Sequence, residues 1–125
     1  MVKRQRTTYS PLPSSSPPPS SKILLVGPNV QQKNAFIEFL TGNPIPQEIH
    51  PLFSIGLEVY PSTYQNKIYN LWDAKSSKEE HLSLWGQNSK LILIFGEDPF
   101  WYNHMHMLFP QTKIKFFNPN HLELE

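Results

Sequence analysis

The stretch that most constrains the fold is Lys22 to Phe39, KILLVGPNVQQKNAFIEF. A continuous apolar run, Ile23 to Val26, stops at Gly27. Ala35, Phe36, Phe39 and Leu40 then recur at helical spacing, so the hydrophobic period changes from strand to helix across Gly27 to Lys33. A strand that turns through glycine into a helix is the frame of a phosphate-binding loop of the form G-x-x-x-x-G-K-[ST]. The first glycine leaves the strand and the second lets backbone N–H groups approach the phosphates. The lysine reaches the outer oxygens, and the hydroxyl holds Mg²⁺. This chain reads Gly27-Pro-Asn29-Val-Gln-Gln32-Lys33-Asn34. Gly27 and Lys33 are kept, Gln32 replaces the second glycine, Asn34 replaces the hydroxyl, and Pro28 removes one N–H donor. An ordinary strand-turn-helix unit is the alternative reading of the same residues.

Composition narrows the setting. A chain of 125 residues holds one domain of modest core. Its net charge of +1, with 17% charged residues, gives no basic face of the kind that tracks nucleic acid. Without cysteine there is neither a disulfide framework nor a thiolate site. Runs of eighteen or so apolar residues are absent, so a membrane span is not expected, and the N-terminus has no signal-peptide core. Residues 1–21 carry Lys3, Arg4 and Arg6 ahead of a Ser/Pro-rich stretch, and too few bulky apolar residues to order themselves. They read as a disordered tail before a domain spanning 22–125. Its basic cluster has the form of a minimal nuclear-import element, with a solvated linker as the plainer reading.

Further along, Thr41-Gly42 and Asn43-Pro44 end the first helix. Ile55 to Tyr60 and Lys67 to Trp72 read as strands joined through Pro61 to Asn66, with Asp73 closing the second. A short helix is expected in Glu79 to Gly86, with Leu82 and Trp85 on one side. Lys90 to Gly96 reads as a buried strand. Asp98-Pro99 starts a helix to about Phe109, and Lys113 to Phe117 is a last strand. The order β-α-β-β-α-β-α-β predicts a three-layer α/β domain. His104 and His106 stand two apart on a helix and diverge, so a shared metal is not expected.

Two segments carry a family resemblance. Ser54-Ile55-Gly56-Leu57-Glu58-Val-Tyr-Pro61 is similar to switch I and the following strand of the Ran group of nuclear transport GTPases. Lys67-Ile-Tyr-Asn-Leu-Trp72-Asp73 resembles the strand that leads into switch II of the same group. Phe36 with Leu40-Thr41-Gly42, Ile92 to Phe95, and Trp101 also fall in corresponding places. The resemblance to Ras-like small GTPases implies a P-loop NTPase-like fold with a mostly parallel sheet of about five strands, lacking the family's last strand and helix. It assigns Lys33 to phosphate, Ser54 and Asn34 to Mg²⁺, Asp73 to the D-x-x-G acid, and Gly27, Asn29 and Asn118 to the rest of the nucleotide.

The departures imply loss of chemistry. Ser76 and Ser77 stand where the γ-phosphate-sensing glycine and the water-orienting glutamine belong, and Asn118-Pro-Asn-His121 replaces the guanine-reading N-K-x-D. Losing three charged or metal-linked contacts at about 1.5–3 kcal/mol each weakens a nucleotide roughly 10³- to 10⁶-fold. The expectation is therefore a pseudo-GTPase without a firm cofactor, holding GTP or GDP with Mg²⁺ weakly if at all. It would bind proteins, nuclear transport factors among them, in nucleus or cytoplasm, through Ile55, Gly56, Leu57, Glu58, Trp72 and Lys75. The other readings are a weak nucleotide switch and an interaction protein that works through its Pro/Ser tail. The last strand is expected to be an open sheet edge, available for self-association or for a partner's strand.

Overall fold

The computed structural model describes residues 20–45 and 56–125. The tail, and Ser54 and Ile55 of the switch-like segment, lie outside them. Five strands and three helices follow one another as β1 (Ser21–Val26), α1 (Val30–Thr41), β2 (Leu57–Tyr64), β3 (Lys67–Ala74), α2 (Glu79–Trp85), β4 (Leu91–Ile94), α3 (Pro99–Leu108) and β5 (Lys113–Phe116). The domain is α/β, and its mixed sheet has the order β2-β3-β1-β4-β5. β1 pairs in parallel with β3 and β4, β4 in parallel with β5, and β2 antiparallel with β3.

The alternation of side chains sorts the core into two layers. Ile23, Leu25, Tyr69, Leu71, Leu91 and Leu93 face Phe36, Ile37 and Leu40 of α1. Leu24, Val26, Ala74, Ile92 and Ile94 face Leu82 and Trp85 of α2 and Met105 of α3. An apolar run without polar interruption is what a strand covered on both sides requires, and β1 is such a strand.

Several boundaries differ from the sequence reading. β2 runs on through Pro61 to Tyr64, which an edge strand tolerates because it leaves one row of backbone groups unpaired. A two-residue turn then closes the hairpin, with Gln65 and Asn66 both at positive φ (50° and 65°), the type I′ geometry that matches strand twist. Asp73 does not end β3. It lies within the strand, opposite Leu25 and Glu58. On α1 the buried stripe is Lys33, Phe36, Ile37 and Leu40 rather than Ala35, Phe36, Phe39 and Leu40. Phe39 is 67% exposed, its ring tilted against that of Tyr64 at 6.3 Å between ring centres. Ser21 belongs to β1 and not to the tail. Gly42 (φ 73°) closes α1 and Asp98 caps α3, accepting from the Phe100 N–H, as their residue types predict.

The segment after β5 folds back over the α1 layer, where Leu124 is buried. Glu125 draws together groups from the amino ends of three strands. Its carboxylate accepts from Tyr69 Oη (2.5 Å) and Lys90 Nζ (2.6 Å) and lies 3.2 Å from Lys67 Nζ, while its carbonyl accepts from Lys113 Nζ. The hydrogen bond from Lys90, then those from Tyr69 and Lys67, hold the Glu125 carboxyl down at about 2. Burial, then the hydrogen bond to Glu125 and its charge, pushes Tyr69 up to about 12. A carboxyl depressed on folding stabilises the fold above its unfolded value and loses that contribution as pH falls toward the folded one. The strap should therefore be held most firmly at neutral pH and lose this part of its anchoring progressively between about pH 4.5 and pH 2. The side-chain resonances of Leu124, buried against the α1 layer, should shift over that interval, and in Glu125→Gln that acid-induced shift should be absent.

Candidate functional site

β1 and β3 are parallel, so Gly27 and Asp73 emerge at the same end of the sheet. Gly27 has φ 115°, and a Cβ there would lie 2.4 Å from the Phe95 carbonyl oxygen. The turn is thus pressed against the end of β4, with Phe95 N–H donating to Val26 and Asn29 N–H donating to Phe95. Only glycine allows that approach.

The helix begins at once. α1 starts at Val30, and Asn29 is its N-cap, with Oδ1 accepting from the Gln32 N–H at 3.0 Å. The N–H groups of Val30 and Lys33 go to Pro28 and Asn29 carbonyls. A phosphate cradle needs successive N–H groups pointing at a common anion. Here the donors of Asn29, Val30, Gln32 and Lys33 are engaged with protein acceptors, and the residues that would arch around a phosphate are already helical. The Asn29-x-x-Gln32 spacing is itself a helix-cap signal, and it competes with the phosphate-loop pattern for the same residues.

Lys33 points inward. Its ammonium donates to the Ala74 carbonyl (3.1 Å) and lies 2.9 Å from Asp73 Oδ1, with both side chains at least 97% buried. Asp73 Oδ1 has no aligned hydrogen bond, so that contact is held by charge. The two groups assigned to opposite sides of a nucleotide's phosphate and metal therefore neutralise one another directly.

Around this pair lies a cleft of about 670 Å³, bounded among the described residues by Gly27, Pro28, Asn34, Glu38, Lys75, Ser76, Ser77 and Trp101. Gly27, Lys33, Asn34 and Asp73, which the resemblance assigns to a nucleotide, line this cleft together with Lys75, which it assigns to a partner surface; Asn29 of the same nucleotide set does not line it. Nor does Asn118. It accepts from the Asn120 N–H in its own turn and borders a separate 220 Å³ hollow beside Lys115 and His121.

The two switch-like segments are tied to each other. Lys75 N–H donates to the Gly56 carbonyl (2.6 Å), and a Cβ on Gly56 would touch Ser76 and Trp85. Ser76 Oγ accepts from the Lys78 N–H and sits 2.8 Å from His81 Nδ1, whose ring stacks on Trp85. Glu58 Oε1 accepts from Lys75 Nζ and Tyr60 Oη, both at 2.7 Å. The bond from Lys75 leads in lowering the Glu58 carboxyl, and burial leads in raising Tyr60. Trp72 projects to the other face, half-buried in the α2/α3 layer with Lys22 Nζ 3.6 Å over its ring. The expected partner residues Gly56, Leu57, Glu58, Trp72 and Lys75 therefore wrap the β2 edge of the sheet instead of lying on one face.

Compared with models of known protein families the chain matches none, and among curated proteins none matches it. Among the described residues no helix is long and apolar enough to cross a membrane, and no group of three or more His, Asp or Glu side chains converges on a metal position. His104 and His106 go separate ways, one stacked on Phe100 and the other on Tyr102.

Proposed function

We propose that the domain is a small-GTPase-like module of the Ran type that has given up nucleotide chemistry and acts as a protein-binding surface, with nuclear transport factors as its partners. One observation carries this reading. The Lys33–Asp73 pair satisfies internally the two charges that a nucleotide and its Mg²⁺ would otherwise satisfy. A ligand would have to break that buried pair before gaining any contact from it. The strand order, the SIGLEVYP and IYNLWD segments and the turn at Gly27 support the P-loop ancestry. The ties of Gly56 to Lys75 and Ser76 to His81 favour a surface held in one state.

Two measurements test it. Calorimetric titration with GTP or GDP plus Mg²⁺ should give no heat of binding and no change in melting temperature. Purified nuclear transport receptors should bind the chain equally with and without nucleotide, and at least tenfold more weakly when Glu58→Lys and Trp72→Ala are combined. Failure of every receptor to bind would overturn the partner assignment.

A second reading, a weak GTP/GDP switch using Lys33, Ser54 and Asp73, is favoured by the volume of the cleft beside Lys33, which lies within the range of small-molecule sites. Saturable heat that disappears when Lys33→Met and Asp73→Leu are combined, a pair of changes that leaves no unpaired buried charge, would establish it in place of the first.

A further inference from the structure

β5 is an outer strand of the sheet, and its backbone directions follow from a single bond. Phe117 N–H donates to the Ile94 carbonyl. In a parallel pair the N–H and C=O of one residue point to the same side, and successive residues alternate. Lys113, Lys115 and Phe117 therefore turn their backbone groups toward β4, and Ile114 and Phe116 turn theirs outward. Among the described residues those outward groups have no backbone partner. The side chains of the same two residues lie on the α2/α3 face. Ile114 packs into the core there, and Phe116 is 39% exposed, stacked on Tyr102 at 6.0 Å.

We propose that β5 pairs antiparallel with β5 of a second copy about a two-fold axis through Lys115, joining two five-stranded sheets into one of ten. That register sets Ile114 opposite Phe116 of the other copy, and the reverse. Both outward residues of each chain then exchange their N–H and C=O groups, over an apolar cross-strand pair on the α3 side. The axis also sets the two Lys115 side chains opposite one another on the other face, a like-charge contact that opposes pairing, and Glu123, 3.4 Å from Lys115 in its own copy, is the group that offsets it. The other edge is less suited to a copy of itself, because Pro61 interrupts β2 in mid-strand.

Amide exchange on the full chain, followed over a wide concentration range alongside sedimentation, gives a reading specific to residue parity. Ile114 and Phe116 amides should slow as concentration rises while Lys115 and Phe117 stay equally slow throughout, and the particle should pass from monomer to dimer. Phe116→Lys should weaken the dimer at least tenfold. Glu123→Lys, at an exposed position that leaves β5 intact, should do the same and be relieved by salt. A monomer at every concentration, exchange of Ile114 and Phe116 that ignores concentration, slowing only when another protein is added, or a dimer indifferent to both substitutions would each overturn the proposal.

Discussion

Lys33→Met should destabilise the domain by about 3–5 kcal/mol, the range found when one partner of a buried ion pair is removed and the other charge is left without compensation. Asp73 is 1% exposed, and no second cation among the described residues lies within ion-pair distance of it. The double replacement Lys33→Met with Asp73→Leu should recover most of that loss, since well-packed apolar residues often equal or exceed a buried pair in stability. Urea midpoints of the wild type, the two single variants and the double variant form the cycle that checks it. The same four proteins bear on function. If the domain works through its surface, the double variant should still bind its protein partner, whereas a nucleotide-dependent switch would lose its activity in all three. A single variant that costs less than about 1 kcal/mol would show that water or relaxation serves the exposed charge, against a pair of this burial.

The second large effect belongs to Gly27→Ala. Two terms add at that position. A non-glycine residue at φ 115° carries roughly 1–3 kcal/mol of backbone strain. Its Cβ would also overlap the backbone of Phe95 at 2.4 and 2.7 Å, which cannot yield without parting the ends of β1 and β4. Gly42→Ala is the control, because φ is positive there too (73°) but nothing lies within 4 Å of the added atom. Gly42→Ala should cost only about 1–2 kcal/mol, the ordinary penalty of a left-handed residue, and Gly27→Ala distinctly more. Equal shifts in melting temperature for the two variants would mean that the close approach to Phe95 contributes nothing.

Much of this architecture could be read from residue order alone. The apolar runs of β1 and β4, the Asp98-Pro99 start of α3 and the Gly42 stop of α1 are local signals, and each element formed where its signal lay. What local signals could not convey was direction and partnership. Phe39 and Ile37 are both apolar, and it is the stripe shared by Lys33, which reaches Asp73 40 positions away in the chain, with Phe36 and Leu40 that places Ile37 toward the sheet. Phase was the available clue, since Lys33 is three, four and seven residues from Phe36, Ile37 and Leu40. Gly27 and Lys33 were found by spacing, but spacing says nothing of whether a lysine waits for a ligand or is already paired. Asn29 is ambiguous for a related reason, as an amide two residues after a glycine suits both a phosphate loop and a helix cap. Glu125 carried no signal at all, because its four partners come from residues far apart in sequence that only the folded sheet brings together.

The central place of β1 has a consequence for how the chain is made. Ile23 to Val26 leaves the ribosome first among the strands, yet one of its two neighbours, β4, follows roughly 70 residues later. At about 5–20 residues per second, that is on the order of 3–14 s before β1 can be paired on both sides. The β2–β3 hairpin can close by itself and receive β1 from Ser21 to Leu25 early, since its own contacts are short in range. The far side of β1 stays uncovered until Leu91 to Ile94 arrives. During synthesis a strand that ends up central and buried is therefore a temporary edge, and nascent chains halted before residue 90 should be the ones that chaperones hold.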